Sequence, residues 1–296
     1  MGRWWRAQGG PVAAAIAAIL LFAPSALAQG DFRNFFDTLI TDDATPSNEV
    51  IIQPGWVKSA SGSNVSFSWS IEKQLSENFS LQIGDSIGDT SRRRHSVTGL
   101  DNLAFFGKYA FYTNLYHEFR AAAGLDVFAP TGNTDAGAES HTRVGPALLF
   151  EKGAGDLPKQ GAWRFVRPFA IEAAAEYTWM ASGYQSDNAE FDIALSYQFS
   201  HLRDSGTHLP SGPWLARFAP FAEFDYQQIT FGRFNSTPPD WRITPGIAWA
   251  DKYCGIALGT QLALNVAGIA NTHAVVLVGV SIYYDQFTSW GGNTLF

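Results

Sequence analysis

The sequence predicts an all-β protein: a closed antiparallel transmembrane barrel of about 12 strands, within a range of 10 to 14. Three observations carry this. Val65-Ser66-Phe67-Ser68-Trp69-Ser70-Ile71 alternates strictly between large apolar and small polar residues, a period of two that gives a strand one greasy and one wet face. Similar windows recur along the chain, many of them 10–15 residues long. Globular strands cluster near five or six residues, whereas spanning strands need about 9–11. Aromatic residues gather at the window ends, among them Trp56, Tyr109, Tyr112, Tyr116, Trp163, Trp179, Trp214, Trp241 and Tyr253. Amphipathic rings suit the headgroup level of a membrane.

The first element is a candidate signal peptide over residues 1–28. Arg3 and Arg6 form its positive region, Pro11–Pro24 its apolar run, and Ala26-Leu27-Ala28 a small-x-small cleavage site. The expected destination is the outer membrane of a Gram-negative cell. Residues 29–47 follow as an N-terminal amphipathic segment. Phe32, Phe35, Phe36, Leu39 and Ile40 fall at helical spacing and make one apolar stripe. The expectation is a short helix packed at the barrel mouth or lying on the membrane surface. A plug entering the lumen is the alternative.

The barrel occupies 48–296. Its strand windows are roughly 48–58, 64–75, 78–88, 100–113, 116–129, 140–152, 164–180, 188–200, 216–230, 240–250, 254–266 and 273–286. Tight connections at Ser76-Glu77-Asn78, Thr113-Asn114-Leu115 and Asp251-Lys252-Tyr253 alternate with longer ones at Gly88–Gly99, Thr131–His141 and Phe231–Asp240. Outer-membrane barrels pair short periplasmic turns with long outer loops. Gly153–Ala162 and His201–Trp214 are long for periplasmic turns. The final residue, Phe296, suits recognition by barrel-assembly machinery.

Composition agrees. Aromatic residues make up 15% and charged residues 16% of the chain, a balance rich in rings and poor in charge. Mean hydropathy is −0.07, as half-greasy strands produce. The lone Cys254 permits no internal disulfide. A net charge of −7, which becomes −9 once Arg3 and Arg6 leave, argues against nucleic acid as a partner.

Gly99-Leu100-Asp101-Asn102-Leu103 through Lys108-Tyr109-Ala110-Phe111 resembles the Gly-x-x-Asp-Leu…Lys-Tyr strand of outer-membrane transporters grouped as the MetA-pathway-of-phenol-degradation family. Phe128-Ala129-Pro130-Thr131-Gly132-Asn133 resembles its strand-ending Pro-Thr-Gly motif. Ser70-Ile71-Glu72 through Asn78-Phe79-Ser80-Leu81 resembles its early hairpin, with Lys73-Gln74 where Tyr-Gly is usual. The resemblance implies an outer-membrane barrel passing small apolar or aromatic compounds, and supplies no catalytic residues.

Strand parity places Lys108, Glu118, Arg120, Asp126, Arg143, Glu151, Glu172, Glu176, Glu190, Asp192, Glu223 and Asp225 toward the lumen, with Gln227. An acid-rich interior reads as a cation-favouring or polar-solute pore, or as a lattice of salt bridges that fills the barrel. The histidines at 95, 117, 141, 201, 208 and 273 lack ligand spacing and obvious serine partners. The chain is therefore read as a non-enzyme without metal or cofactor. Arg92-Arg93-Arg94-His95 reads as a solvated loop tip, or as a contact for lipopolysaccharide phosphates. The functional expectation is a channel or transporter for small solutes. Its alternative is a structural or adhesive barrel closed by charge pairs.

Overall fold

The computed structural model describes residues 38–59, 62–92, 95–181, 186–204, 212–231, 235–236, 239–264 and 272–286. The signal-peptide segment, Phe32, Phe35, Phe36, Arg93, Arg94 and Phe296 lie outside the described residues.

Alternating residues form β1 (Glu49–Ser59), β2 (Gly62–Ser76), β3 (Phe79–Arg92), β4 (His95–Leu100), β5 (Leu103–Asn114), β6 (Phe119–Ala129) and β7 (Arg143–Gly153). The second half holds β8 (Phe169–Met180), β9 (Ser186–Tyr197), β10 (Phe218–Phe231), β11 (Asn235–Ser236), β12 (Asp240–Ala250), β13 (Cys254–Ala263) and β14 (Thr272–Tyr283). Each long strand pairs antiparallel with its neighbours, and β1 closes on β14 through Glu49↔Tyr283 to Ser59↔Thr272. Twelve staves form the closed wall, while β4 and β11 extend the hairpins of β3 and β10 beyond it. Closure leaves no unpaired edge, the condition for strands to exist in lipid.

The pleat sorts side chains cleanly. Along β8, Phe169, Ile171, Tyr177 and Trp179 are exposed outward, while Ala170, Glu172, Ala174 and Thr178 are buried inward. The outer wall is greasy elsewhere too: Leu125, Leu148, Phe150, Ile171, Phe191, Leu195, Phe224, Ile247, Ile256 and Leu258 are each 40–50% exposed. Val65 and Phe67 belong to the same face, whereas the Ser68 hydroxyl turns to the Gln53 carbonyl of β1 at 3.4 Å. An apolar exterior around a polar interior inverts a soluble core and matches a barrel standing in lipid. No helix among the described residues is long and apolar enough to cross a membrane.

We call the end where β1 begins the near end. Its connections include the turns Glu77–Asn78, 115–118 and 251–253. The two longer near-end connections carry single helical turns, at Gly161–Phe165 and at Gly212–Arg217 after a short helix, α1 (Phe199–Asp204).

Two expectations need correction. The sequence predicts a loop over Gly88–Gly99, but β3 runs on to Arg92 and returns as β4, paired Ile87↔Leu100 through Arg92↔His95. Polar residues there alternate without large apolar partners, so periodicity misses a hairpin that stands beyond the lipid. Of the expected N-terminal helix, residues before 38 lie outside the described residues, and 38–48 are not helical. Their apolar positions serve a different purpose, described next.

Two of the three segments that carry the family resemblance, Gly99–Phe111 and Phe128–Asn133, are stitched together at the far end. Asn102 accepts from Gly132 N at 3.0 Å and donates to the Glu139 carbonyl at 2.8 Å. Leu103 N donates to Thr131 Oγ1 at 3.0 Å. A Cβ on Gly132 would lie 2.5 Å from the Asp101 carbonyl carbon, so only glycine allows this approach. The clamp folds the 130–142 connection over the rim.

Candidate functional site: the lumen and its N-terminal insert

Residues 38–48, the described chain before β1, lie inside the barrel. Without a regular ladder of its own, Thr38–Asn48 must find partners for its backbone N–H groups, and the wall supplies them as carboxylates. Glu223 Oε1 on β10 accepts from Ile40 N at 2.8 Å and Thr41 N at 3.0 Å. Glu151 on β7 accepts from Ala44 N at 2.6 Å and the Thr45 hydroxyl at 2.8 Å. Glu72 on β2 accepts from Ser47 N at 3.0 Å. Around the wall these three staves stand three, four and five positions apart. The insert is thus suspended from three sides by charge-assisted bonds, which are stronger than neutral ones.

Two apolar contacts fix its height. Leu39 is buried against Phe221, Ala248 and Ala257, with Ile40 and Leu277 alongside. A Cβ on Gly259 or Gly279 would sit 2.6 or 3.0 Å from the Leu39 methyls, so those glycines make the socket. Ala44 is fully buried among Phe106, Ala110, Ala122, Ala147, Leu149 and Ala174. The stripe that reads as a helix face therefore supplies, in Leu39 and Ile40, anchors to the inner wall.

Lys108 binds the insert to the wall electrostatically. Its ammonium lies 2.6 Å from Asp43 and 3.2 Å from Glu72, and it is almost wholly buried. Lys73 donates to Asn48 Oδ1 at 2.9 Å and sits 5.8 Å from the Tyr284 ring centre.

The remaining candidates separate by height. Arg120, Glu151 and Glu172 stand side by side in register near the insert. Higher up, Glu176 pairs in register with Glu190 and Asp192 with Asp225. Gln261 donates to Asp225 at 3.1 Å, and Arg143 reaches Glu139 at 3.3 Å. Glu118 is the exception. It occupies the 115–118 turn with φ 47°, and its carboxylate accepts from Gly155 N at 2.7 Å. It belongs to the near rim, because the turn breaks the parity on which a lumen assignment depends. Below it, burial opposes but hydrogen bonds from His117 and Lys152 prevail, holding Asp156 below the usual carboxylate range.

Sequence reasoning missed Glu49, Glu72, Asp42, Asp43, Gln53 and Arg242. Glu72 shares the parity of Ser66, Ser68 and Ser70, so the signal was present. The two aspartates were hidden by the helical reading of their segment.

Above the insert lies a cavity of about 560 Å³. Asp42 and Asp43 form its floor, Glu49, Glu72, Lys108, Asp126 and Arg143 line its wall, and Asp85, Asp101, Asn102 and Glu139 reach its far rim. Eight carboxylates face it against two cations, Lys108 and Arg143, among the described residues. Ile40, Ile51, Phe106 and Phe128 add an apolar side.

No family model matches the sequence. No curated protein matches it either. Among solved structures, the chain is similar to the COG4313 outer membrane channel from Pseudomonas putida F1, at 11% identity over 87% of this chain and 99% of that one, with a TM-score of 0.55. It is also similar to the NanC porin, at 10% identity over 79% of this chain and 98% of that one, with a TM-score of 0.50. The likeness is one of fold: a closed antiparallel barrel of the outer-membrane kind.

Proposed function

We propose that the protein is an outer-membrane channel for small solutes, and that it favours those carrying positive charge. The observation that carries this is the acid excess of the far cavity. Fields from clustered carboxylates in a low-dielectric wall raise the local concentration of cations. The apolar side of the cavity suits a solute that pairs its charge with a hydrocarbon part. That narrows the apolar or aromatic class implied by the family resemblance. The greasy outer wall and the two channels of similar fold support an outer-membrane location. Export by residues 1–28 and insertion by barrel-assembly machinery are part of the same proposal.

A specific observation favours a second reading, a barrel held shut for structural duty: the three carboxylates that suspend the insert. Planar-bilayer recording separates the two. A channel of the proposed kind conducts across a salt gradient with a reversal potential on the cation side. A full-length barrel that conducts only after residues 38–47 are deleted supports the structural reading, and anion selectivity refutes the proposed solute class.

A further inference from the structure

We propose that the near rim between β10 and β13 is a binding site for the headgroup of an anionic phospholipid in the leaflet at that end. The proposal rests on membrane insertion, not on conduction.

The patch is built from the second long near-end connection and the 251–253 turn. Trp214 stands 60% exposed and meets Phe218 edge-on, ring centres 4.7 Å apart. Phe218 pairs in register with Trp249, so these rings lie together on the outer face. The Arg217 guanidinium lies over Trp249, 5.9 Å from its centre. The Lys252 ammonium lies 4.5 Å from the centre of the exposed Tyr253 ring.

The charges here are poorly satisfied by the protein. Arg217 is about half exposed and reaches Asp251 only at 3.9 Å. Asp251 already accepts from Tyr253 N at 2.8 Å and Cys254 N at 3.0 Å. Among the described residues, Lys252 has only its ring contact. The patch therefore carries two cations against one committed carboxylate. It continues directly into the apolar band at Ile247, Ile256 and Leu258. Acyl chains against that band bring a headgroup phosphate to the height of Arg217 and Lys252. Arginine's planar fork suits phosphate oxygens, and tryptophan and tyrosine sit well at this depth.

The other long connection repeats the chemistry. Trp163 and Phe165 are exposed, and the Arg164 guanidinium lies 4.6 Å from the Phe165 ring centre. Both long near-end connections thus place a tryptophan and an arginine outward at the rim.

Native mass spectrometry of the full-length barrel, released from nanodiscs of mixed phosphatidylglycerol and phosphatidylcholine, tests the proposal. The wild-type protein is expected to retain phosphatidylglycerol preferentially. The R217Q/K252Q double variant should lose that retention by roughly tenfold or more, since each basic group near a membrane surface contributes comparably. Heat-modifiable gel mobility should not change, because both side chains are exposed. Equal retention by the double variant overturns the site. Displacement of the lipid by millimolar inorganic phosphate also overturns it, since the patch would then be a phosphate site only. An inserted, conducting barrel without lipid preference refutes this inference while leaving the channel reading intact. Failure to insert in any bilayer refutes both.

Discussion

The two halves of the lumen use the same residue type for opposite ends. In the near half, carboxylates are consumed: Glu223, Glu151 and Glu72 each hold a backbone N–H of the insert. In the far half they face open space, with Asp42, Asp85, Asp101 and Asp126 lining the cavity. A glutamate in a barrel interior is therefore not a pore residue by identity. What decides is whether the insert reaches it. The near half is a structural core made largely of polar bonds, and the cavity above it is an enclosed polar surface.

Lys108→Met is the hardest blow to this contrast. It strands Asp43 and Glu72 without their cation where Glu72 is buried and Asp43 largely so, and removing one member of a buried ion pair costs about 3–5 kcal/mol. The midpoint of urea unfolding in micelles should fall accordingly. An unchanged midpoint would mean that the near half is as wet as the far one. Glu223→Ala is milder. It orphans the N–H groups of Ile40 and Thr41, at about 1–3 kcal/mol for each group left buried and unpaired. Part of this is recovered if the insert swings out, so limited proteolysis after residue 40 should accelerate and conductance should rise. Asp101→Asn is the smallest change. As a surface substitution it should move stability by less than about 0.5 kcal/mol, yet shift the reversal potential toward zero. Destabilisation comparable to that of Lys108→Met would erase the distinction between the halves.

The wall was legible in the sequence because it is periodic. Phe169, Ile171, Tyr177 and Trp179 announce an outward face that needs no knowledge of neighbouring strands, and the inward position of Glu172 follows from theirs. Glu118 shows the limit of that logic, since parity ends wherever the backbone turns. The insert was not legible for a deeper reason. The helical spacing of Phe32 through Ile40 is a local signal, whereas Glu223 lies 183 residues from Ile40 in the chain. Such a partner becomes visible only when the barrel closes. Likewise, the cations at the near rim read singly as surface charge. Only the fold sets Arg217 over Trp249 and within reach of Asp251.

The three glutamates that suspend the insert also impose an order of events. Ser47 and Glu72 are separated by 25 residues, Ala44 and Glu151 by 107, and Ile40 and Glu223 by 183. Closing a longer loop costs more entropy, so the contacts grow more expensive from Ser47 back toward Ile40. Glu223 takes its final position only when β10 lies between β9 and β12. Seating of Ile40 and Thr41 is therefore the costliest of the three contacts to close, and it latches the first residues of the described chain to a stave far along the sequence.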